Sequence, residues 1–405
     1  MKGYIKRSIE PVLKKAITEF PCVVLTGPRQ AGKTTILKQL YGKKYSYVSL
    51  EAPDIRTAAT KDPRGFIELY TPPIIFDEIQ YAPDLLFYIK EKIDQQRNQN
   101  GQYILTGSQN ILLLKHVTES LAGRTAILKL LPLSYIEMIH SPSELFIWEK
   151  EKNKKKQPIS IKKFWHMMLR GCYPELSEHP RKDALLWHAG YTQTYLERDV
   201  RDLRQIGDLT QFQSFLRSLA ARSAQLIQLS DIAKDLGIAV NTIKAWLAIL
   251  EATYQIIILR PYHANVNKRL VKTPKIYFTD VGTLCYLTGI SDPVHLMAGP
   301  LAGAVVETFV VSEIYKRLIN RGIEPHVYFW RTASGTEVDL LVEEQRTIIP
   351  LEIKASATPK PAMADGIISL RKDISSLSSK GYVIHLGDVR LPLSSNIEAL
   401  PFVYL

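Results

Sequence analysis

The stretch Gly27-Pro28-Arg29-Gln30-Ala31-Gly32-Lys33-Thr34 constrains this 405-residue chain more than any other. It follows Cys22-Val23-Val24-Leu25-Thr26, which reads as a buried strand, and precedes Thr35 to Leu40, which has helical spacing. A strand that passes through two glycines into a helix sets a row of backbone N–H groups at a helix N-terminus, where the dipole favours an anion. Phosphate oxygens suit that geometry. Lys33 is long enough to reach a β- or γ-phosphate, and the Thr34 hydroxyl can coordinate Mg²⁺.

The pattern matches the Walker A phosphate loop. Nucleotide contacts are therefore expected at Gly27, Pro28, Arg29, Gln30, Ala31, Gly32, Lys33, Thr34 and Thr35, with ATP and Mg²⁺ as cofactors. Such a loop works with a carboxylate on a neighbouring strand, because Mg²⁺ takes oxygen ligands and keeps several waters. The run Ile74-Ile75-Phe76 ends in Asp77-Glu78. Asp77 is read as a Mg²⁺ ligand beside Thr34, and Glu78 as the base that polarises an attacking water, which suggests hydrolysis. A third run, Tyr103-Ile104-Leu105, ends in Thr106-Gly107-Ser108, and Thr106 or Ser108 can hydrogen-bond the γ-phosphate or the water. Arg124 is either an arginine that stabilises transition-state charge, in cis or in trans from another subunit, or a surface salt-bridging residue.

Short apolar strands alternating with helices predict a parallel α/β first domain over residues 1–135, with an N-terminal helix from Ile5 to Phe20. Residues 136–205 read as a helical lid and linker, in which Lys150 to Lys163 is a solvated loop or a phosphate-binding arm. Over residues 206–295, Leu229 to Leu236, Gly237 and Val240 to Leu250 spell helix, tight turn, helix. Asn241 or Thr242 is placed to cap the second helix, and Ile256 to Leu259, Asn265 to Lys272 and Lys275 to Phe278 are placed to form a β-wing. In that winged helix, Lys244, Arg260, Lys268, Arg269, Lys272 and Lys275 can meet phosphates and Asn241 a base edge, while Trp246, Leu247 and Leu250 belong to the core.

Residues 296–405 read as a compact α/β unit, with a helix from Leu301 to Leu318 and strands at Val327 to Trp330, Glu337 to Val342, Thr347 to Ile353 and Tyr382 to Leu386. Side chains alternate along a strand, so Glu352 and Lys354 share a face, and a neighbouring strand can bring Asp339 beside them. Two metal-binding carboxylates with a lysine resemble the core of restriction-endonuclease-like nucleases, in which Glu307 would supply a third acidic group from the first helix.

Bulk properties narrow the setting. The chain holds 52 basic and 40 acidic side chains, a net +12, which suits a polyanionic partner such as DNA. Its three cysteines are too few for a disulfide framework or a paired-cysteine zinc site and fit a reducing compartment. Lys2, Lys6, Arg7, Lys14 and Lys15 interrupt every apolar run before Cys22, so a cytoplasmic protein without a membrane partner is expected.

Gly27 to Thr34, Ile74 to Gln80, Leu105-Thr106-Gly107-Ser108, Leu121 to Arg124, Tyr195-Leu196-Glu197-Arg198-Asp199 and Lys272-Thr273-Pro274-Lys275-Ile276-Tyr277-Phe278 together resemble a prokaryotic family. Its members are bacterial and archaeal ATP-binding proteins that join an AAA-type ATPase to a C-terminal region of unknown function, containing a winged helix and a nuclease-like fold. The resemblance implies an AAA-type NTPase with Lys33, Thr34, Asp77 and Glu78 in its motifs, and Ser108 where such enzymes usually present a sensor asparagine. The leading expectation is an ATP-driven protein acting on nucleic acid. The competing one is an ATP-operated switch or scaffold that binds a protein partner and keeps a non-catalytic nuclease-like fold. A homo-oligomer is compatible with either.

Overall fold

The computed structural model describes residues 3–108, 117, 119–149, 157–196, 209–262, 273–344, 347–374 and 380–405. Among them, β1 (Cys22–Thr26), β2 (Ser46–Ser49), β3 (Ile74–Asp77), β4 (Tyr103–Gly107) and β5 (Thr125–Lys129) form a five-stranded sheet of order β2-β3-β4-β1-β5. Every pairing in it is parallel. The apolar runs explain this, since β1, β3 and β4 are buried along their whole length and need cover on both faces. Alternation sends Val23, Leu25, Ile75 and Ile104 to one face with Leu13, Ile36 and Leu37 from helices Glu10–Glu19 and Lys33–Tyr41. Cys22, Val24, Phe76 and Leu105 go to the other, against Leu85, Ile89 and Ile93 of helix Leu85–Gln95.

The second sheet holds β6 (Ile256–Pro261), β7 (Lys275–Phe278), β8 (Val327–Arg331), β9 (Glu337–Glu344), β10 (Thr347–Lys354), β11 (Gly381–His385), β12 (Leu391–Ser394) and β13 (Ile397–Pro401). Its order is β12-β13-β11-β10-β9-β8-β6-β7. This relocates the expected wing. β6 and β7 do pair antiparallel, Ile256 opposite Phe278, but Arg260 and Pro261 also pair in parallel with Tyr328 and Phe329 of β8. The hairpin is thus the edge of the C-terminal sheet. A two-stranded ribbon is marginal alone, and docking on a sheet buries Ile256, Ile257, Ile276, Tyr277 and Phe278.

Helices Leu229–Leu236 and Val240–Ala252 are present, joined through Gly237 at φ 65°. Ala239 caps the second helix without a side-chain bond, which corrects the expected Asn241 or Thr242 cap: those residues lie inside the first turn. Trp246, Leu247 and Leu250 are buried as expected, with Trp246 edge-on to Phe212. One apolar cluster runs from Tyr135 through these helices to Leu405, so the segments read as three units share a core. Helix Ala302–Asn320 threads it, buried around its circumference. Lys162 and Lys163 stand exposed in the first turn of helix Ile161–Arg170, whose cap is Ser160. Lys150 to Lys156, Glu197-Arg198-Asp199 and Asn265 to Lys272, including Lys268, Arg269 and Lys272, lie outside the described residues. Among the described residues no helix is long and apolar enough to cross a membrane.

Candidate functional site

The phosphate loop leaves the C-terminal end of β1 and closes on helix Lys33–Tyr41. Gly27 has φ 151°, and a Cβ there would stand 2.0 Å from the Leu130 carbonyl oxygen, so only glycine lets the loop pass the end of β5. Lys33 is buried, and its ammonium donates to the carbonyls of Gly27 (2.9 Å) and Pro28 (3.0 Å), which fold the loop around it. Gln30 and Thr35 are exposed, while Pro28 and Ala31 are buried.

β4 lies between β1 and β3, so Asp77 and Glu78 reach the loop from one strand further out. Asp77 is buried and held by three hydroxyls: Thr34 donates to Oδ2 at 3.0 Å, Tyr47 to the same oxygen and Thr106 to Oδ1. A hydroxyl and a carboxylate side by side are the hard oxygen donors Mg²⁺ takes at such loops, so Thr34 and Asp77 fit that ion. Glu78 sits in the left-handed region, φ 58° and ψ 50°, a strained conformation for glutamate. It is stabilised there because Oε2 accepts from the Ser108 backbone N–H (3.1 Å), the Ser108 hydroxyl (2.9 Å) and the Gln80 amide. Burial pushes the Glu78 carboxyl up, but the Lys33 charge and these hydrogen bonds outweigh it and hold it below its ordinary value. Glu78 is therefore a carboxylate aimed by fixed donors.

Thr106 and Ser108 are thus partners of the two carboxylates. Arg124 is placed otherwise. The register sets Cys22 opposite Thr125, so Arg124 stands level with the start of β1, at the end of the sheet away from the loop. Its guanidinium is held there by Asp94 (2.7 and 3.0 Å) and the Ala122 carbonyl, away from the loop of its own chain. The salt-bridging alternative describes what the residue does within one chain.

A cleft of about 570 Å³ opens over the loop, lined also by Tyr4, Ile5, Leu133, Pro174 and His179. Its volume lies in the range of nucleotide-sized sites. Arg7 lines it too, a residue read only as one basic interruption of an apolar run. Buried to 4% exposure, it donates to Ala31 O (2.8 Å) and Leu131 O (2.7 Å) and pairs with Glu137 at 3.1 Å. These partners lie 24, 124 and 130 residues away, which is why no local pattern flags it. Glu137 also accepts from Ser8 N (2.6 Å), Ser134 N (2.8 Å) and Asn320 Nδ2 (3.4 Å). The Tyr135 N–H donates to Glu313, and Lys316 to the Leu133 carbonyl (3.2 Å). A buried polar chain therefore joins the phosphate loop to helix Ala302–Asn320.

The far end of that helix carries Glu307. Asp339 on β9 and Glu352 and Lys354 on β10 do meet: Lys354 donates to Glu352 and stands 4.0 Å from Asp339. Burial first, then the neighbouring Asp339 charge, raise Glu307 to about 7 and Glu352 to about 8, and burial raises Asp339. Lys275, expected on a wing facing phosphate, is instead buried here at 4% exposure. It donates to Glu307 at 2.9 Å and contacts Glu337, and the Tyr277 hydroxyl donates to the same Glu307 oxygen at 2.7 Å. Asp339 Oδ2 accepts the Ile353 N–H at 2.7 Å. Among the described residues no group of three or more His, Cys, Asp or Glu is arranged to hold a metal ion. Glu307, Asp339 and Glu352 thus come together, with Lys275 on one oxygen of Glu307 and Lys354 on one oxygen of Glu352.

Three family models match along the chain. Residues 19–139 match the model of an AAA domain, residues 161–294 a domain of unknown function (DUF8612) and residues 302–405 another (DUF4143). An AAA-like P-loop domain therefore stands at the N-terminus, and it carries the signature of ATP binding and hydrolysis. An uncharacterized protein of Mycobacterium tuberculosis is 29% identical over 399 residues, 98% of this chain and 83% of its own. One from Methanocaldococcus jannaschii is 23% identical, with 83% of this chain and 76% of the relative covered. Among solved structures, a Walker-type ATPase of Pyrococcus abyssi aligns over 70% of this chain and 96% of its own at 16% identity and a TM-score of 0.47.

Proposed function

We propose that this chain is a Mg²⁺-dependent ATPase that couples its nucleotide state to a nucleic-acid-directed C-terminal region built as a helix-turn-helix and a restriction-endonuclease-like unit. The observation that carries the ATPase reading is the joint placement of Lys33, Thr34, Asp77 and Glu78 around one loop. Mg²⁺, when bound, would neutralise charge on the phosphate oxygens, with Thr34 and Asp77 as its protein ligands. Lys33 exchanges its loop carbonyls for phosphate oxygens. Glu78, ionised and aimed by Ser108 and Gln80, takes the proton of the attacking water. The chain from Arg7 through Glu137 to helix Ala302–Asn320 is the physical link by which loop position reaches the C-terminal sheet. An arginine to complete the site would come in trans, from Arg124 of a second copy in a homo-oligomer.

The net charge of +12 favours nucleic acid as the partner of a cytoplasmic machine. Turnover measured with and without single- and double-stranded DNA tests this: stimulation that fades as salt rises supports it, and unchanged turnover with no binding at low salt refutes it. The second reading is an ATP-operated switch or scaffold for a protein partner. It is favoured by Lys275 and Lys354, whose ammonium groups occupy the carboxylates a nuclease needs for metal. Mg²⁺-dependent nicking that disappears in both Asp339→Ala and Lys354→Ala would exclude it.

A further inference from the structure

The C-terminal cluster contains four carboxylates, Glu307, Glu337, Asp339 and Glu352, on three elements that approach from different directions. Like charges gathered in a poorly solvated place repel strongly unless cations sit among them. In most carboxylate clusters a divalent metal does this. Here the chain supplies the cations itself. Lys275 enters from β7 and bridges Glu307 of the long helix to Glu337 of β9, with Arg331 closing on the outer oxygen of Glu337 at 3.2 Å. Lys354 bridges Glu352 and Asp339 within the sheet.

Helix Asp365–Asp373 covers one side of the cluster. A Cβ at Gly366, in the first turn of helix Asp365–Asp373, would stand 2.2 Å from the Glu337 carbonyl oxygen and 3.5 Å from Glu352 Oε2. That helix therefore lies directly on the cluster. Glu352 Oε2 is buried without a hydrogen-bond partner among the described residues, while Lys275 takes one oxygen of Glu307 and Lys354 the other oxygen of Glu352.

We infer that Lys275 is the resident cation of this cluster, standing where a divalent metal would bridge helix and sheet, so that the C-terminal site of this chain is metal-free. The lysine replaces the metal mechanically, because it fastens β7 and helix Ala302–Asn320 to β9. It does not replace the metal chemically, since an ammonium cannot activate water as a Lewis acid does. This deepens the scaffold reading and leaves the ATPase reading untouched.

Mn²⁺ binding to the nucleotide-free full-length protein, followed by electron paramagnetic resonance, tests it. Any Mn²⁺ held at Thr34 and Asp77 is common to all variants and cancels in the comparison. Wild type and Asp339→Asn are expected to bind the same number of ions. Lys275→Met is expected to gain about one ion, which adding Asp339→Asn removes. An ion bound by wild type and lost in Asp339→Asn overturns the inference, and so does a folded Lys275→Met that gains none. Should Lys275→Met not fold, the wild-type comparison still decides, together with acylation of Lys275 read by mass spectrometry. Labelling should stay low with and without Mn²⁺. Labelling that rises on adding Mn²⁺ would mean the metal displaces the lysine and would contradict the proposal. DNA-stimulated turnover surviving alongside either result separates this inference from the nucleotide-coupling reading.

Discussion

Glu352 shows how a single carboxylate reports on its surroundings. Burial and the nearby Asp339 charge raise it to about 8, against the pull of Lys354, and Glu307, facing Lys275 and Tyr277, rises to about 7. The unfolded chain releases these protons near the ordinary carboxyl value of 4.5. Between that pH and the folded values the native state binds more protons than the unfolded one, so stability falls as pH rises through the window. Denaturant unfolding of the nucleotide-free protein is therefore expected to show lower stability at pH 8.5 than at pH 5.5. Glu352→Gln should flatten the slope and gain stability at the alkaline end. A slope unchanged by that substitution would place the proton uptake elsewhere.

At the scale of elements, the polar chain running from the phosphate loop into helix Ala302–Asn320 has energetic consequences. Arg7→Ala removes one partner of a buried pair and leaves Glu137 with an uncompensated charge, a loss of about 3–5 kcal/mol in comparable cases. Because Arg7 also holds the Ala31 carbonyl, kcat is expected to fall with it. Arg7→Lys, able to restore charge but not the three-way fork, should recover stability more than kcat. Equal recovery of both would reduce Arg7 to a structural role. Much of this architecture was legible beforehand. Gly27 to Thr34 and the runs ending at Asp77 and Ser108 announced three parallel strands, because burial on both faces writes itself as continuous apolar sequence. β2 is not legible, since Ser46–Ser49 leaves no such run, and β5 carries only the short run Ala126-Ile127-Leu128, most of it not fully buried. Ile256 to Leu259 and Lys275 to Phe278 were recognised as strands but assigned to a wing. Pairing partners such as Tyr328 lie far along the chain, and local alternation carries no information about them. Arg7 and Glu137 are invisible as site residues for the same reason, and Lys275 reads as a phosphate contact on the wing because its four-carbon stem gives no sign of which way the ammonium turns.

For the whole molecule, one long helix touches both candidate sites. Glu313, Lys316 and Asn320 meet the segment below the phosphate loop, and Glu307 meets Lys275 in the C-terminal cluster. A shift of the loop against that helix is expected to reach both ends, because close-packed interiors transmit displacement rather than absorb it. The central claim remains hydrolysis driven by Glu78 beside a phosphate loop that binds Mg²⁺ and ATP. The direct measurement is phosphate release by purified wild type and Glu78→Gln, with ATP binding determined on the same samples and oligomer size recorded. The account predicts Mg²⁺-dependent turnover in wild type, a fall of about 10²–10⁴-fold in Glu78→Gln, and ATP binding retained in both. Equal turnover in the two proteins, or turnover indifferent to Mg²⁺, would contradict it.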